Sequence, residues 1–195
     1  MGHDVIKGWI LEVLQQRPSV VAIALRQRAK FEGWLKFELA AHAERKGAQD
    51  VEVEASSADS AGGQPRIDLA LSLDRVRYNI QLKTPNTNWR LPGVENKTRP
   101  ITKNIAGIVT DARNLSTCPG HNLVAFVLFP VPTRDRRWLE YLQRISRELR
   151  VPLSSDSHTA QVTLPLSNVQ VADVVVCCFP VEQASNVPAA DAPGV

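Results

Sequence analysis

The 195-residue sequence predicts an α/β domain with a mixed central sheet flanked by helices. Two observations carry this prediction. Helical patterns, with apolar residues three or four positions apart, lie on both sides of three short segments that alternate between apolar and polar residues. After the helical pattern that follows these three segments comes a continuous apolar segment, which is typical of a strand buried on both faces. A strand meander, a crossover helix and a buried strand together make a layered domain.

Two helices open the chain. An amphipathic pattern predicts the first over 4–16, where the Arg17-Pro18 dipeptide ends it. A second, long helix is predicted over 19–46, with a serine at its start and Gly47 as its stop. The meander follows, with a tight turn at Asp74-Arg75 and strands over 51–54, 66–73 and 76–83.

Small polar residues over 56–65 predict a loop inside the meander. The remaining elements are a proline-containing loop over 84–100, a helix over 102–115, a strand over 122–131, a helix over 134–150 and a strand over 171–179. We expect one domain over 1–181, with its core at about 30–130, and a disordered tail over 182–195, because proline and alanine dominate that tail.

Charge is unevenly distributed along the chain. The net charge is only +3, yet residues 84–150 hold 11 basic and 5 acidic side chains, and residues 151–195 hold no lysine or arginine. The basic segment could face a polyanion. No apolar run is long enough to span a bilayer, and the first residues do not resemble a signal peptide. Three cysteines make a poor disulfide framework, so we expect a cytoplasmic protein with no membrane partner.

Polar residues on the second and third strands suggest chemistry. Gln81 and Lys83 share a face of their strand, and Asp68 lies on the neighbouring strand. Asp68, the Gln81 amide and the backbone carbonyl of Leu82 could bind Mg²⁺ or Mn²⁺ beside a substrate phosphate. Lys83 could orient or deprotonate a water and offset charge at phosphorus. Alternatively, the face is solvated, or Asp68 and Lys83 form an ordinary cross-strand ion pair in an unrelated α/β domain.

Within this order of elements, Ile67-Asp68 followed by Gln81-Leu82-Lys83 resembles the PD-(D/E)XK nuclease superfamily. The resemblance implies a restriction-endonuclease-like αβββαβ core. It also implies a helical glutamate about fifteen residues before a glycine, and Glu32 has this spacing to Gly47. Glu38 is the substitute if Glu32 faces elsewhere. Such a protein is a metal-dependent nuclease that hydrolyses phosphodiesters to a 5′-phosphate and a 3′-hydroxyl, with DNA as the expected substrate.

One position departs from the family pattern. The superfamily usually has Asp or Glu where this chain has Gln81, whose amide can bind a metal but brings no negative charge. Two interpretations stay open: an active enzyme, or a catalytically degenerate protein that keeps the fold as a nucleic-acid-binding or protein-interaction module. A homodimer or a partner specificity subunit is compatible with either.

The basic loop after Lys83 is the predicted nucleic-acid contact. Its amides, cations and indole suit phosphate binding and base stacking, and the candidates are Asn86, Asn88, Trp89, Arg90, Arg99 and Lys103. The alternative is a structural flap in which Trp89 covers the core. For the arginine-rich helix over 134–150, a solvated face with ion pairs between residues four apart is favoured over a phosphate-binding surface.

Overall fold

The computed structural model of the protein describes residues 2–55, 66–96 and 101–183. The predicted loop over 56–65 and the predicted tail beyond residue 183 lie outside these ranges. The described helices are α1 (Gly2–Gln16), α2 (Pro18–Gln27), α3 (Glu32–Arg45), α4 (Ile101–Leu115), α5 (Trp138–Leu149) and α6 (Ser155–His158). The described strands are β1 (Gln49–Ala55), β2 (Ile67–Leu73), β3 (Val76–Lys83), β4 (His121–Val131), β5 (Thr159–Pro165) and β6 (Val171–Val181).

The strands form one six-stranded mixed sheet in the order β1-β2-β3-β4-β6-β5. The meander β1–β3 is antiparallel, and β3 pairs with β4 in parallel, with Lys83 beside Phe126. A parallel pair requires a crossover connection, which α4 supplies. The remaining pairs, β4 with β6 and β6 with β5, are antiparallel. The mixed α/β architecture predicted from the sequence is therefore confirmed.

Helices cover both faces of the sheet. Leu69, Ile80 and Leu82 belong to a core that includes residues of α1, α2 and α3, whereas Ala70 belongs to a second core with residues of α4 and α5. Because side chains alternate along a strand, the odd-numbered residues of β3 fall on the second face, which puts Gln81 and Lys83 on the side of the sheet that α4 covers. Asp68 lies at the start of β2, next to Ile67 of the second core, and its side chain contacts Lys36 of α3.

The predicted helix over 19–46 is wrong, because the chain is broken between α2 and α3. Arg28 ends α2 in a left-handed conformation (φ 49°), and its backbone N–H donates to the carbonyls of Ala24 and Leu25. Phe31 then precedes α3 and packs against Phe129 of β4, with ring centroids 4.8 Å apart. No glycine or proline marks the break.

The physical reason for the break is the tertiary role of Arg28. Its guanidinium donates hydrogen bonds to three carbonyls of the loop after β3, and its side chain is buried. The acceptors are the backbone oxygens of Thr87, Trp89 and Glu95, the last at 2.7 Å. A continuous helix would carry Arg28 in a different direction, so the gain from these buried hydrogen bonds outweighs local helix propensity.

Two further differences lie after β4. The arginine-rich helix begins at Trp138 rather than Arg134, because Pro132 to Arg137 form turns. Helix α6 and the edge strand β5 are not predicted from the sequence. Strand β5 pairs with β6 and buries only Val162 and Leu164. A strand with so few buried residues leaves a weak apolar signal.

In the described part of the chain, no helix combines the length and apolarity needed to cross a membrane.

Candidate functional site

The candidate site lies where β2, β3 and the first turns of α3 meet. The Asp68 carboxylate accepts a hydrogen bond from the backbone N–H of Leu82 through Oδ2 (2.9 Å). The antiparallel register pairs Leu69 with Ile80, and continuing it by one residue places Gln81 opposite Asp68. A side-chain oxygen of Asp68, rather than a backbone carbonyl, thus accepts from an N–H of the neighbouring strand. This hydrogen bond fixes the carboxylate at this end of the meander.

Lys83 connects β3 to carboxylates from two helices. Its ammonium lies 2.7 Å from Asp111 Oδ2 of α4 and 3.6 Å from Glu32 Oε1 of α3. Glu32 also accepts from the backbone N–H of Thr84 through Oε2 (3.4 Å). Lys83 is therefore held from both sides, and the cross-strand Asp68–Lys83 ion pair considered from the sequence is not formed.

The electrostatic surroundings keep Lys83 charged. Burial of the ammonium lowers the pKa of Lys83, but the hydrogen bond to Asp111 and the charges of Glu32, Asp111 and Asp68 outweigh it, so the pKa lies above its ordinary value. At neutral pH the side chain is an ammonium. In this environment Lys83 is suited to orient a water or to stabilise negative charge, and it is not suited to remove a proton.

A second lysine contacts Asp68 directly. The Lys36 ammonium lies 3.2 Å from Asp68 Oδ1 and 2.9 Å from Glu54 Oε1, and Lys36 is almost fully buried. Arg66 contacts the other oxygen of Glu54. Four carboxylates and three cations from α3, α4 and the meander thus make up the site.

An open cleft of about 490 Å³ lies beside Lys83. Lys30, Lys83 and Lys103 bring three ammonium groups to its wall, and Asn104 adds an amide. The other lining residues are Thr84, Pro85 and Gly107. Because cations and an amide donor dominate this wall, the cleft suits an anionic group such as a phosphate.

The predicted nucleic-acid contacts are divided between the cleft and the core. Lys103 lines the cleft, whereas Asn88 and Arg90 are exposed elsewhere on the loop. Asn86 is buried and donates through Nδ2 to the carbonyl of Arg28 (3.0 Å), so its side chain holds the loop in place. Arg99 lies outside the described residues.

Trp89 is anchored to α5. Its ring stacks on Tyr141 with centroids 5.7 Å apart, and the Arg137 guanidinium lies 5.1 Å from the indole centroid. Trp89 also packs against the core on the α4 and α5 side of the sheet. These contacts agree with the alternative in which this loop is a structural flap.

The structure distinguishes the two candidate glutamates of α3. Glu32 contacts Lys83, whereas Glu38 pairs with Arg17 (3.6 Å), at the junction of α1 and α2. The two residues are six positions apart, so they leave the helix in different directions. Glu32 is thus the glutamate that belongs to the site.

Sequence reasoning missed Lys36, Glu54 and Asp111. Asp111 had a detectable signal, because it is the sole acidic residue of α4 and follows the apolar stripe that packs on the sheet. Lys36 follows Glu32 by four residues, which suggests an ordinary pair along the helix. Its actual partners are on β1 and β2. These ion pairs depend on how α3 packs against the sheet, which cannot be derived from spacing along the chain.

Comparison with protein-family models, curated proteins and solved structures finds no match to this chain. Within the described ranges, no group of three or more His, Cys, Asp and Glu side chains is arranged to hold a metal ion. The site therefore has to be interpreted from its own geometry.

Proposed function

We propose that the protein is a metal-dependent nuclease with a restriction-endonuclease-like core, and that DNA is its substrate. The observation that carries this proposal is the position of Lys83. It stands between a group of carboxylates and a cleft lined by ammonium groups. Carboxylates beside a cationic cleft that can take a phosphate are the parts that metal-assisted phosphodiester hydrolysis requires.

The donor groups present suit a divalent cation. Asp68 supplies a carboxylate, and Gln81 and the backbone carbonyl of Leu82 are further oxygen donors near it. The Lys36 ammonium, held between Asp68 and Glu54, supports the view that these carboxylates accommodate a cation. When bound, Mg²⁺ or Mn²⁺ would supply Lewis-acid activation of water and neutralisation of phosphate charge.

The chain's own residues divide the remaining work. Lys30 and Lys103 bind the phosphate backbone in the cleft, and Lys83 donates a hydrogen bond to the attacking water or to a phosphate oxygen. Glu32 and Asp111 orient Lys83 and keep it charged. Water attacks phosphorus in line and gives up a proton to bulk solvent, the bond between phosphorus and the 3′ oxygen breaks, and that oxygen takes up a proton from solvent to leave as a hydroxyl.

The test is cleavage of plasmid and linear DNA with Mg²⁺ or Mn²⁺. Asp68→Asn and Lys83→Met should each reduce cleavage by about a thousandfold, the effect typical of removing a group that stabilises charge or positions a reactant. Asp74→Asn, the same chemical change in the β2–β3 turn, should leave cleavage unchanged. Wild-type cleavage that persists in both site variants would show that the chemistry lies elsewhere.

A second candidate function is a non-cleaving nucleic-acid-binding protein with the same core. Neutral Gln81 favours it, because this position brings no charge to the proposed metal site. This candidate predicts salt-sensitive DNA binding without cleavage under any divalent metal. Gln81→Glu should then switch on cleavage, since it restores the carboxylate, whereas Gln15→Glu at an exposed position of α1 should not.

A further inference from the structure

The contacts of Lys36 bear on how the proposed site takes up a metal. Lys36 is 8% exposed, and its ammonium lies between Glu54 Oε1 (2.9 Å) and Asp68 Oδ1 (3.2 Å). Asp68 Oδ2 is occupied by the Leu82 N–H. Both oxygens of Asp68 therefore already have a donor.

An ammonium and a divalent cation compete for such a place. Both are attracted to the same carboxylate oxygens, and they repel each other strongly at the short distance that sharing Asp68 would impose. The repulsion is large because the partly buried surroundings screen charge weakly. A cation can bind Asp68 in full only after the Lys36 ammonium has moved away.

Glu54 is the second carboxylate at this position. Its Oε1 contacts the same ammonium as Asp68, from the adjacent strand β1, while Arg66 contacts its Oε2. A cation that replaces the ammonium would meet Glu54 and Asp68 together. Glu54 can therefore supply the negative charge that Gln81 lacks.

We infer that Lys36 is a resident counter-ion that a divalent cation must displace, and that Glu54 and Asp68 are the two carboxylates it then binds. This inference rests on the proposed function, since it takes Asp68 as a metal ligand. It makes Lys36 a residue that lowers metal affinity and Glu54 a metal ligand. Metal binding then rearranges the link between α3 and the meander.

The test is direct titration with Mn²⁺, in which free Mn²⁺ is followed by electron paramagnetic resonance in the absence of DNA. Lys36→Gln, which keeps polar donors but removes the charge, should bind Mn²⁺ at least about tenfold more tightly than the wild type. Lys46→Gln, the same change at the C-terminal cap of α3, should match the wild type.

Double variants locate the site. Adding Asp68→Asn or Glu54→Gln to Lys36→Gln should abolish the gain in affinity, whereas adding Glu52→Gln, two residues earlier on β1, should preserve it. If Lys36→Gln is unstable without metal, Lys36→Met replaces it. Mn²⁺ should then raise Tm more in the variant than in the wild type, because the metal binds only the folded state.

Each result has a defined meaning. Equal Mn²⁺ affinity in wild type and Lys36→Gln would overturn the role of Lys36, while DNA cleavage that depends on Asp68 would still support the proposed function. If the double variant with Lys36→Gln and Glu54→Gln keeps the gain in Mn²⁺ affinity, Glu54 is not a metal ligand. Failure of every variant to bind Mn²⁺ would overturn this inference and the metal site of the proposed function together.

Discussion

Two aspartates of the same sheet, Asp68 on β2 and Asp173 on β6, have opposite kinds of surroundings. Asp173 is 2% exposed, and its hydrogen-bond donors among the described residues are all neutral. Gln161 Nε2 and Thr163 Oγ1 each lie 2.6 Å from it, and the backbone N–H of Arg134 lies at 3.2 Å. Asp68 instead contacts the Lys36 ammonium, which Glu54 also contacts.

The difference separates a structural carboxylate from one that is available for chemistry. The donors around Asp173 come from β5 and from the turn after β4, so they satisfy the charge without a mobile counter-ion. Asp68 depends on a lysine that could exchange for another cation. Buried charge satisfied by fixed neutral donors stabilises the fold, whereas several like charges held by lysines are typical of functional sites.

The matched variants Asp173→Asn and Asp68→Asn test this comparison most directly. Asp173→Asn removes the charge and leaves one acceptor oxygen for three donors, so we expect the free energy of unfolding to fall by about 2–3 kcal/mol. Asp68→Asn keeps an acceptor for the Leu82 N–H, and Glu54 still pairs with the Lys36 ammonium, so the expected loss is smaller, about 1 kcal/mol. Urea denaturation of both variants measures the difference.

DNA cleavage should reverse the order of the two variants. Folded Asp173→Asn should cut at close to the wild-type rate, and Asp68→Asn should be inactive. If Asp68→Asn is the more destabilised protein, Asp68 is a structural residue and the contrast between the two sites fails.

The loop beside the cleft depends on a structural residue that contacts no substrate. Arg28→Gln removes a buried guanidinium from the carbonyls of Thr87, Trp89 and Glu95. We expect a loss of about 2 kcal/mol in unfolding free energy, because carbonyls are left without donors. Amide hydrogen exchange should accelerate over 84–96 more than in β6. Uniform acceleration would mean that Arg28 supports the whole domain rather than this loop.

Variants of the cleft lysines test whether the cationic cleft beside Lys83 binds DNA. Lys30→Gln and Lys103→Gln should each weaken DNA binding and reduce the slope of log affinity against log salt by about 1, because each removes one phosphate contact. Lys46→Gln, whose lysine pairs with Glu12 on the surface, serves as the control and should leave the slope unchanged. Identical slopes in all three variants would place DNA on another surface.

Much of the fold could be predicted because its signals are local. The strict alternation in β2 and β3 and the continuous apolar run of β4 each identify a strand without reference to the rest of the chain. The break at Arg28 could not be predicted in this way, since its cause is a set of carbonyls about sixty residues later. The edge strand β5 was missed because an edge buries few side chains.

The candidate site divides along the same line. The period of β3 predicts that Gln81 and Lys83 share a face, with Asp68 on the neighbouring strand, and the resemblance adds Glu32. Lys36, Glu54 and Asp111 join them through helix packing against the sheet, which sets distances that spacing along the chain does not encode. Their roles as site residues stay predictions until the variants above are measured.

Another buried ionisable group, His42 on α3, provides the smallest test. Burial lowers the pKa of His42, the nearby Glu12 carboxylate partly opposes this, and Lys46 and Arg45 add to the lowering. The unfolded chain therefore takes up a proton near pH 6.5 before the folded protein does. The contribution to stability is complete above that pH and is lost as the pH falls below it.

His42→Gln should accordingly flatten the decline in unfolding free energy between about pH 7 and pH 5, with cleavage at neutral pH unchanged. His121→Gln, at an exposed position on β4, is the matched control and should keep the wild-type slope. An unaltered slope in His42→Gln would show that the acid sensitivity does not arise at His42.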